Sequence, residues 1–155
     1  MENIQNLQNE MQKLLSQINT ILSVSKYEEY DDLSKIEYNI NNPDDLLLVN
    51  EYRSILYKLS DIQYNLKYLS KQVISEDTLI LRPDGRYGTP DGEVYYTSGS
   101  RIEFLINDEV EGKDGYFIEM PAWRTSTVEH NGTDYYIVGY KDINLNGLKI
   151  RVRKK

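Results

Sequence analysis

The sequence predicts an α+β protein, with an N-terminal antiparallel helical hairpin of coiled-coil type and a C-terminal SH3-like antiparallel β-barrel or sheet. Apolar residues recur every three or four positions over residues 1–75, which is the helical period. Over residues 76–155, runs of β-branched and aromatic residues alternate with Asp-Gly and Asn-Gly pairs, which is typical of hairpins. We therefore expect two domains, 1–75 and 76–155.

Two segments of the N-terminal half each carry an apolar seam that would pack against another helix. The first seam consists of Ile4, Leu7, Met11, Leu14, Ile18 and Ile21. The second consists of Leu48, Tyr52, Ile55, Leu59, Ile62, Leu66, Leu69 and Val73. Before the second seam, Asn42 is a favoured helix cap and Pro43 a favoured first helical residue. Such a seam closes within one chain or between two, so a homodimer remains an alternative.

The seam pattern breaks at KYEEYDD, residues 26–32. We expect a short helix over residues 27–40, with its carboxylates near the helix N-terminus, where the helix dipole favours negative charge. Its outward side chains would form an acidic cluster of Glu28, Glu29, Asp31 and Asp32. The first interpretation of this cluster is a solvated corner between helices. The alternative is a surface that a basic, nucleic-acid-binding protein recognises.

The C-terminal half contains runs that we predict as five to seven short strands. They are TLILR, EVYYT, RIEFLI, GYFIEM, RTSTVE, DYYIVGY and GLKIRVR. The segments SGSRIEFLIND, WRTSTVEHNG, DYYIVGY and LNGLKIRVR resemble a small bacterial domain of unknown function that is common in phages and integrative elements. The resemblance covers residues 79–153, with extra residues around 109–122. It implies a compact β module in a mobile-element setting, and it implies no reaction.

The composition excludes several kinds of site. The 155-residue chain has a net charge of −7 and no cysteine, which excludes disulfides, thiol catalysis and thiolate zinc sites. Its one histidine, His130, has no nucleophile placed beside it by spacing. The segment DINLNG, residues 142–147, begins like a calcium loop, but the twelfth position is Arg153 and not the required glutamate. We expect no enzyme activity, no metal and no cofactor.

The location of the protein is also predicted from the chain's apolar content. The N-terminus lacks the basic start and the apolar core of a signal peptide, and no apolar run is long enough to span a bilayer. We therefore expect a cytoplasmic protein with no membrane association.

Aromatic side chains mark two candidate partner-binding surfaces. Tyr57, Tyr64 and Tyr68 fall on the side of the second helix that faces away from its seam. Because three tyrosines are an unusual solvent surface, we expect another element to pack over them. The candidates are residues 30–40, the β module, a second copy of the chain or a foreign partner. Trp123 is either a core residue of the β module or an aromatic anchor for a partner.

The last strand is apolar on one face and basic on the other. Its basic residues are Lys149, Arg151 and Arg153. They would protect an edge strand from pairing or, alternatively, contact nucleic-acid phosphates. Our first functional hypothesis is a protein-interaction module of mobile-element origin, in one version an inhibitor of a bacterial defence nuclease. The alternative is a nucleic-acid-binding module that uses this strand.

Overall fold

The computed structural model describes residues 3–28 and 33–155, and these contain two helices followed by antiparallel sheets. The helices are α1 (Ile4–Val24) and α2 (Pro43–Ser70). The strands are β1 (Val73–Thr78), β2 (Ile80–Leu81), β3 (Tyr87–Gly88), β4 (Tyr95–Tyr96), β5 (Arg101–Glu111), β6 (Phe117–His130), β7 (Tyr135–Ile137) and β8 (Lys149–Arg153). The chain separates into two compact units, Met1–Lys71 and Gln72–Lys155. The predicted α+β class is confirmed.

The start of α2 follows the signals in the sequence. The side-chain oxygen of Asn42 accepts a hydrogen bond from the Asp44 amide at 2.9 Å, and Pro43 is the first helical residue. The end of α2 does not follow the predicted seam, which continued to Val73. The helix stops at Ser70, and Val73 begins β1 because it pairs with Arg153 in the β1–β8 ladder. Neither helix of the described residues is long and apolar enough to cross a membrane.

The two helices bury a narrower stripe than the sequence predicted. Their core consists of Ile18, Leu22, Leu33, Val49 and Leu56. In the first predicted seam only Ile18 is buried, whereas the others are exposed. Neighbouring apolar pairs such as Leu14-Leu15 and Ile21-Leu22 satisfy the helical period equally well. The contact with α2 decides which member of each pair is buried.

The short helix predicted over residues 27–40 is not present in its described part. Residues 27–28 and 33–40 form turns and irregular backbone. Leu33 has a φ of 59°, in the left-handed region that an α-helix does not visit. Its side chain is buried with the two helices, so packing outweighs the helical preference of the segment. Residues 29–32 lie outside the described residues.

The β unit contains two antiparallel sheets. The five-stranded sheet has the order β1-β8-β5-β6-β7, and the three-stranded sheet has the order β2-β3-β4. The runs GYFIEM and RTSTVE, predicted as separate strands, belong to one 14-residue strand, β6. Pro121 sits inside it opposite Asn107 without ending the strand. The buried core consists of Leu79, Tyr87, Tyr96, Ile102, Phe104, Val128, Ile137, Leu145, Leu148 and Ile150.

The last strand, β8, is an inner strand and not an edge. It pairs with β1 along one side and with Glu103 and Phe104 of β5 along the other. The interpretation of its basic residues as protection of an edge is therefore wrong. Pairing with β1 places β8 inside the sheet. The sequence did not predict β1 in full, because its first residue, Val73, was included in the seam of the second helix.

Candidate partner-binding surfaces

The tyrosine surface of α2 is largely open. Tyr57 is 57% exposed and Tyr64 is 62% exposed, whereas Tyr68 is half-buried. Both exposed rings belong to α2, and the helical backbone fixes the direction in which each side chain leaves the helix. Exposed aromatic side chains on a rigid element are favoured contact residues in protein interfaces, because they bury a large area at a small entropic cost.

An apolar groove of about 480 Å³ lies within the helical unit. Buried Leu33 and Leu56 form part of its lining, together with Ile21, Tyr52 and Ile55, which are exposed. The predicted seams therefore leave apolar side chains uncovered beside the contact between α1 and α2. Sequence periodicity did not indicate this groove, because it predicted that Ile21 and Ile55 would be buried. In the structure their neighbours Leu22 and Leu56 are buried instead.

The acidic cluster of KYEEYDD is described only at its first member. Glu28 is exposed, and its Oε1 lies 2.8 Å from Nζ of Lys35. Exposed ion pairs of this kind contribute little to stability. Glu29, Asp31 and Asp32 lie outside the described residues.

Trp123 is half-buried in β6, and it is not part of the buried core. The guanidinium of Arg151 stacks over its ring, 4.4 Å from the ring centroid. This cation–π contact occupies one face of the indole. The ring is therefore neither a core side chain nor a fully free anchor, which are the two roles that the sequence suggested.

The basic residues of β8 are engaged with carboxylates. Nε of Arg153 lies 2.7 Å from Oε2 of Glu103, and Nη1 of Arg151 lies 3.4 Å from Oε1 of Glu103. Nζ of Lys149 lies 3.4 Å from Oε2 of Glu76. The side chain of Glu103 is only 4% exposed. These contacts neutralise charge that a phosphate-binding stripe would need, so they weigh against the nucleic-acid alternative.

Sequence reasoning missed Glu103 as a residue with a role. It lies between buried Ile102 and Phe104, so simple alternation places it on the solvent side of the strand. Only the pairing of Glu103 with Arg151 across β5 and β8 reveals the ion-pair network.

The candidate histidine is the last residue of β6, and the candidate calcium loop contains a turn. His130 Nδ1 accepts a hydrogen bond from the Gly132 amide at 3.1 Å, and its ring packs edge-on against Tyr135. In the segment DINLNG, Gly147 has a φ of 85° and precedes β8 in a turn. Asn146 accepts a hydrogen bond from the Leu81 amide at 3.2 Å. Among residues 3–28 and 33–155, no group of three His, Cys, Asp or Glu residues is placed to hold a metal ion.

One titratable group in the β unit has its pKa displaced by the core. Burial raises the pKa of Tyr87, and the neighbouring Asp134 carboxylate, which accepts its hydroxyl hydrogen bond at 3.2 Å, adds to the rise. The raised pKa keeps the Tyr87 hydroxyl protonated at neutral pH, so that it donates a hydrogen bond to Asp134.

The β5–β6 hairpin extends beyond the rest of its sheet, and we call residues 105–123 the arm. Its pairing is continuous from Leu105 opposite Trp123 to Glu111 opposite Phe117. Tyr116 is 74% exposed and Phe117 is 66% exposed. Apart from Trp123 at its base, sequence reasoning did not assign a function to the arm. The signal was present as the extra residues around 109–122 that the family resemblance did not account for.

Comparison with known proteins gives one match. Residues 77–152 match the model of a family described as Domain of unknown function (DUF5348). This match lies within the β unit and covers just under half of the chain. No curated protein and no solved structure matches the chain. The C-terminal unit therefore carries a domain of unknown function, as the resemblance of its strands and turns implied.

Proposed function

We propose that this chain is a non-enzymatic protein-interaction module of mobile-element origin that inhibits a basic, nucleic-acid-binding protein, such as a bacterial defence nuclease. In this proposal, a coiled-coil-like helical hairpin presents the tyrosine surface, and an SH3-like β module accompanies it in the cytoplasm. The observation that carries the proposal is the exposure of Tyr57 and Tyr64 on a regular helix of an acidic chain. In this proposal the exposed aromatic surface and the net negative charge of the chain together complement a cationic protein channel.

The contribution of the tyrosines is expected to be large enough to measure. Aromatic residues that become fully buried in an interface often cost more than about 1 kcal/mol when truncated. Replacing both Tyr57 and Tyr64 by serine should therefore weaken binding by at least about tenfold. Both side chains are exposed, so the double variant is expected to keep its fold.

The test uses a panel of purified bacterial RNA-guided DNA nucleases. Each enzyme is mixed with the wild-type chain, with Tyr57→Ser/Tyr64→Ser, and with the control Lys58→Ser/Asn65→Ser, which changes the adjacent exposed positions of the same helix. DNA cleavage and complex formation on a sizing column are measured. Inhibition that the tyrosine variant loses and the control keeps supports the proposal. No binding by the wild-type chain, or equal inhibition by both variants, would show that it is wrong.

A homodimer through the helical seam is part of the same proposal. Apolar residues of α1 outside the helical core are exposed, namely Ile4, Leu7, Met11 and Leu14. Glu10 and Lys13 are the charged residues of α1, so two such helices can approach without net repulsion. Sedimentation equilibrium should give twice the chain mass of 18.2 kDa, and Leu7→Gln/Leu14→Gln should return it to the monomer value. A wild-type monomer at high concentration would contradict the dimer.

A further inference from the structure

The arm lacks strand partners on its outer edges within the described residues. The pairing of β5 with β8 ends at Glu103 and Phe104, and the pairing of β6 with β7 is confined to Val128–His130. Residues 105–123 therefore form a two-stranded ribbon in which each strand has one open edge. A two-stranded ribbon in water is marginally stable by itself, and open edges offer backbone groups to an added strand.

One face of the arm is apolar and uncovered. Ile118 and Met120 are exposed, and they lie on the same face as their cross-strand neighbours Val110 and Asp108. This face continues the one that buries Ile102 in the core of the β unit. Ile106 still packs against the core, but beyond it the apolar side chains of this face are uncovered, as at a surface that binds a partner.

The opposite face of the arm, which we call its acidic face, carries three glutamates and the exposed ring of Phe117. Glu109 lies directly opposite Glu119, and Glu111 lies opposite Phe117. Like charges that face each other across two strands destabilise a ribbon. The pair Glu109 and Glu119 therefore lowers the stability of the hairpin. Locally unfavourable residues of this kind are typical of surfaces that serve recognition.

The arm concentrates negative charge beyond its share of the chain. It carries five carboxylates against the single basic residue Lys113, which is more than half of the net charge of −7. The carboxylates are Asp108, Glu109, Glu111, Asp114 and Glu119. This charge opposes the approach of nucleic acid, of an anionic membrane and of a second arm. It favours a cationic protein surface.

The arm is also held in one shape before binding. Nε of Arg124 lies 2.8 Å from Oδ2 of Asp108, which ties the two strands together. At the tip, Asp114 accepts a hydrogen bond from the Tyr116 amide, and Gly115 adopts a φ of 80° that suits a tight turn. A preformed ribbon loses less conformational entropy on binding than a mobile loop does.

We propose that the arm is a docking element that enters a cleft of a protein partner with a cationic wall and an apolar wall. Its acidic face meets the cationic wall, and Ile118 and Met120 meet the apolar wall. Resting on the proposed function, the arm is the part of the chain that occupies the nucleic-acid channel of the inhibited protein. The tyrosine surface of α2 is then a second contact.

A defined probe tests the arm without the unknown partner. The probe is a fluorescent peptide of alternating lysine and leucine, which presents one cationic and one apolar face as a strand. Its binding to the full-length chain is followed by fluorescence anisotropy. Two variants remove the two faces separately: Ile118→Ser/Met120→Ser for the apolar face and Glu109→Gln/Glu119→Gln for the acidic face. The matched control is Ile74→Ser/Glu93→Gln, which alters one exposed apolar and one exposed acidic residue outside the arm.

Each face variant is expected to weaken binding of the peptide by about tenfold, and the control by less than about twofold. Added salt should weaken the binding of the peptide by the wild-type chain and by the apolar-face variant. It should have little effect on binding by the acidic-face variant. Thermal unfolding of each variant verifies that the fold is retained. Equal binding by all four proteins, or no binding by the wild-type chain, overturns the inference.

The nuclease panel separates this inference from the proposed function. A peptide-binding arm in a chain that inhibits no nuclease overturns the proposed function and leaves the docking element. Inhibition that survives both face variants and is lost with Tyr57→Ser/Tyr64→Ser overturns the docking element and leaves the proposed function.

Discussion

The ion-pair network around Glu103 gives the sharpest stability prediction, and Glu103→Gln is the perturbation. Glu103 accepts hydrogen bonds from Nε and Nη2 of Arg153 at 2.7 and 3.1 Å and from Nη1 of Arg151 at 3.4 Å. Glutamine keeps the shape of the side chain, removes its charge and turns an amide donor toward the guanidinium groups. Both arginines then lack the countercharge that Glu103 supplies inside the sheet.

The magnitude follows from the burial of the three side chains. Breaking a buried ion pair by removing one partner costs about 3–5 kcal/mol. The side chain of Glu103 is 4% exposed, but those of Arg153 and Arg151 are 14% and 28% exposed, so water compensates in part. We therefore expect the free energy of unfolding of the β unit to fall by about 2–4 kcal/mol.

Urea unfolding followed by Trp123 fluorescence is the assay. Trp123 is the only tryptophan of the chain, and it stacks against Arg151, so its emission reports on this site. The matched control is Glu111→Gln, an exposed position on the same strand and face, which should change the free energy by less than about 0.5 kcal/mol. A loss below about 1 kcal/mol for Glu103→Gln, or a loss equal to that of the control, would refute the reasoning.

Three further predictions concern other side chains. Phe104→Ala should destabilise the β unit by about 3–5 kcal/mol, because Phe104 is fully buried and its removal leaves a cavity; the same urea assay measures this, and a change below about 1 kcal/mol would contradict it. Asn42→Ala should cost the helical unit about 1 kcal/mol through loss of the α2 cap, measured by circular dichroism, whereas Asn42→Ser should retain most of the stability. The hydrogen bond from Arg124, then the Glu109 amide and the positive charge of Arg124, lower the pKa of Asp108 below its ordinary value of 3.8. The Asp108 carboxylate therefore stabilises the fold above pH 3.8, and this contribution is lost as the pH falls through the lower pKa of the folded state. Unfolding curves of the wild type and Asp108→Asn should converge in acid, and a constant difference across pH would argue against this linkage.

The sequence predicted the helical unit in outline, and tertiary contacts decided its details. The cap Asn42 and the first helical residue Pro43 act locally, so the start of α2 was predictable. The buried stripe of α1 was not, because adjacent apolar residues such as Ile21 and Leu22 fit the same period. The backbone at Leu33 was also unpredictable, because burial of its side chain holds it in a conformation that a helix excludes.

The candidate surfaces show the same division. The positions of Tyr57 and Tyr64 on one side of α2 follow from the helical period, but their exposure does not, because the sequence predicted a cover over them. Three other features depend on which strands pair. They are the ion pair between buried Glu103 and Arg153, the inner position of β8 and the open edges of the arm. Local propensity and period determined the α+β class and the start of α2, but not the conformation of residues 33–40 or the end of α2. Long-range register, which is set by packing between residues far apart in sequence, decided which charges are neutralised and which apolar faces remain open.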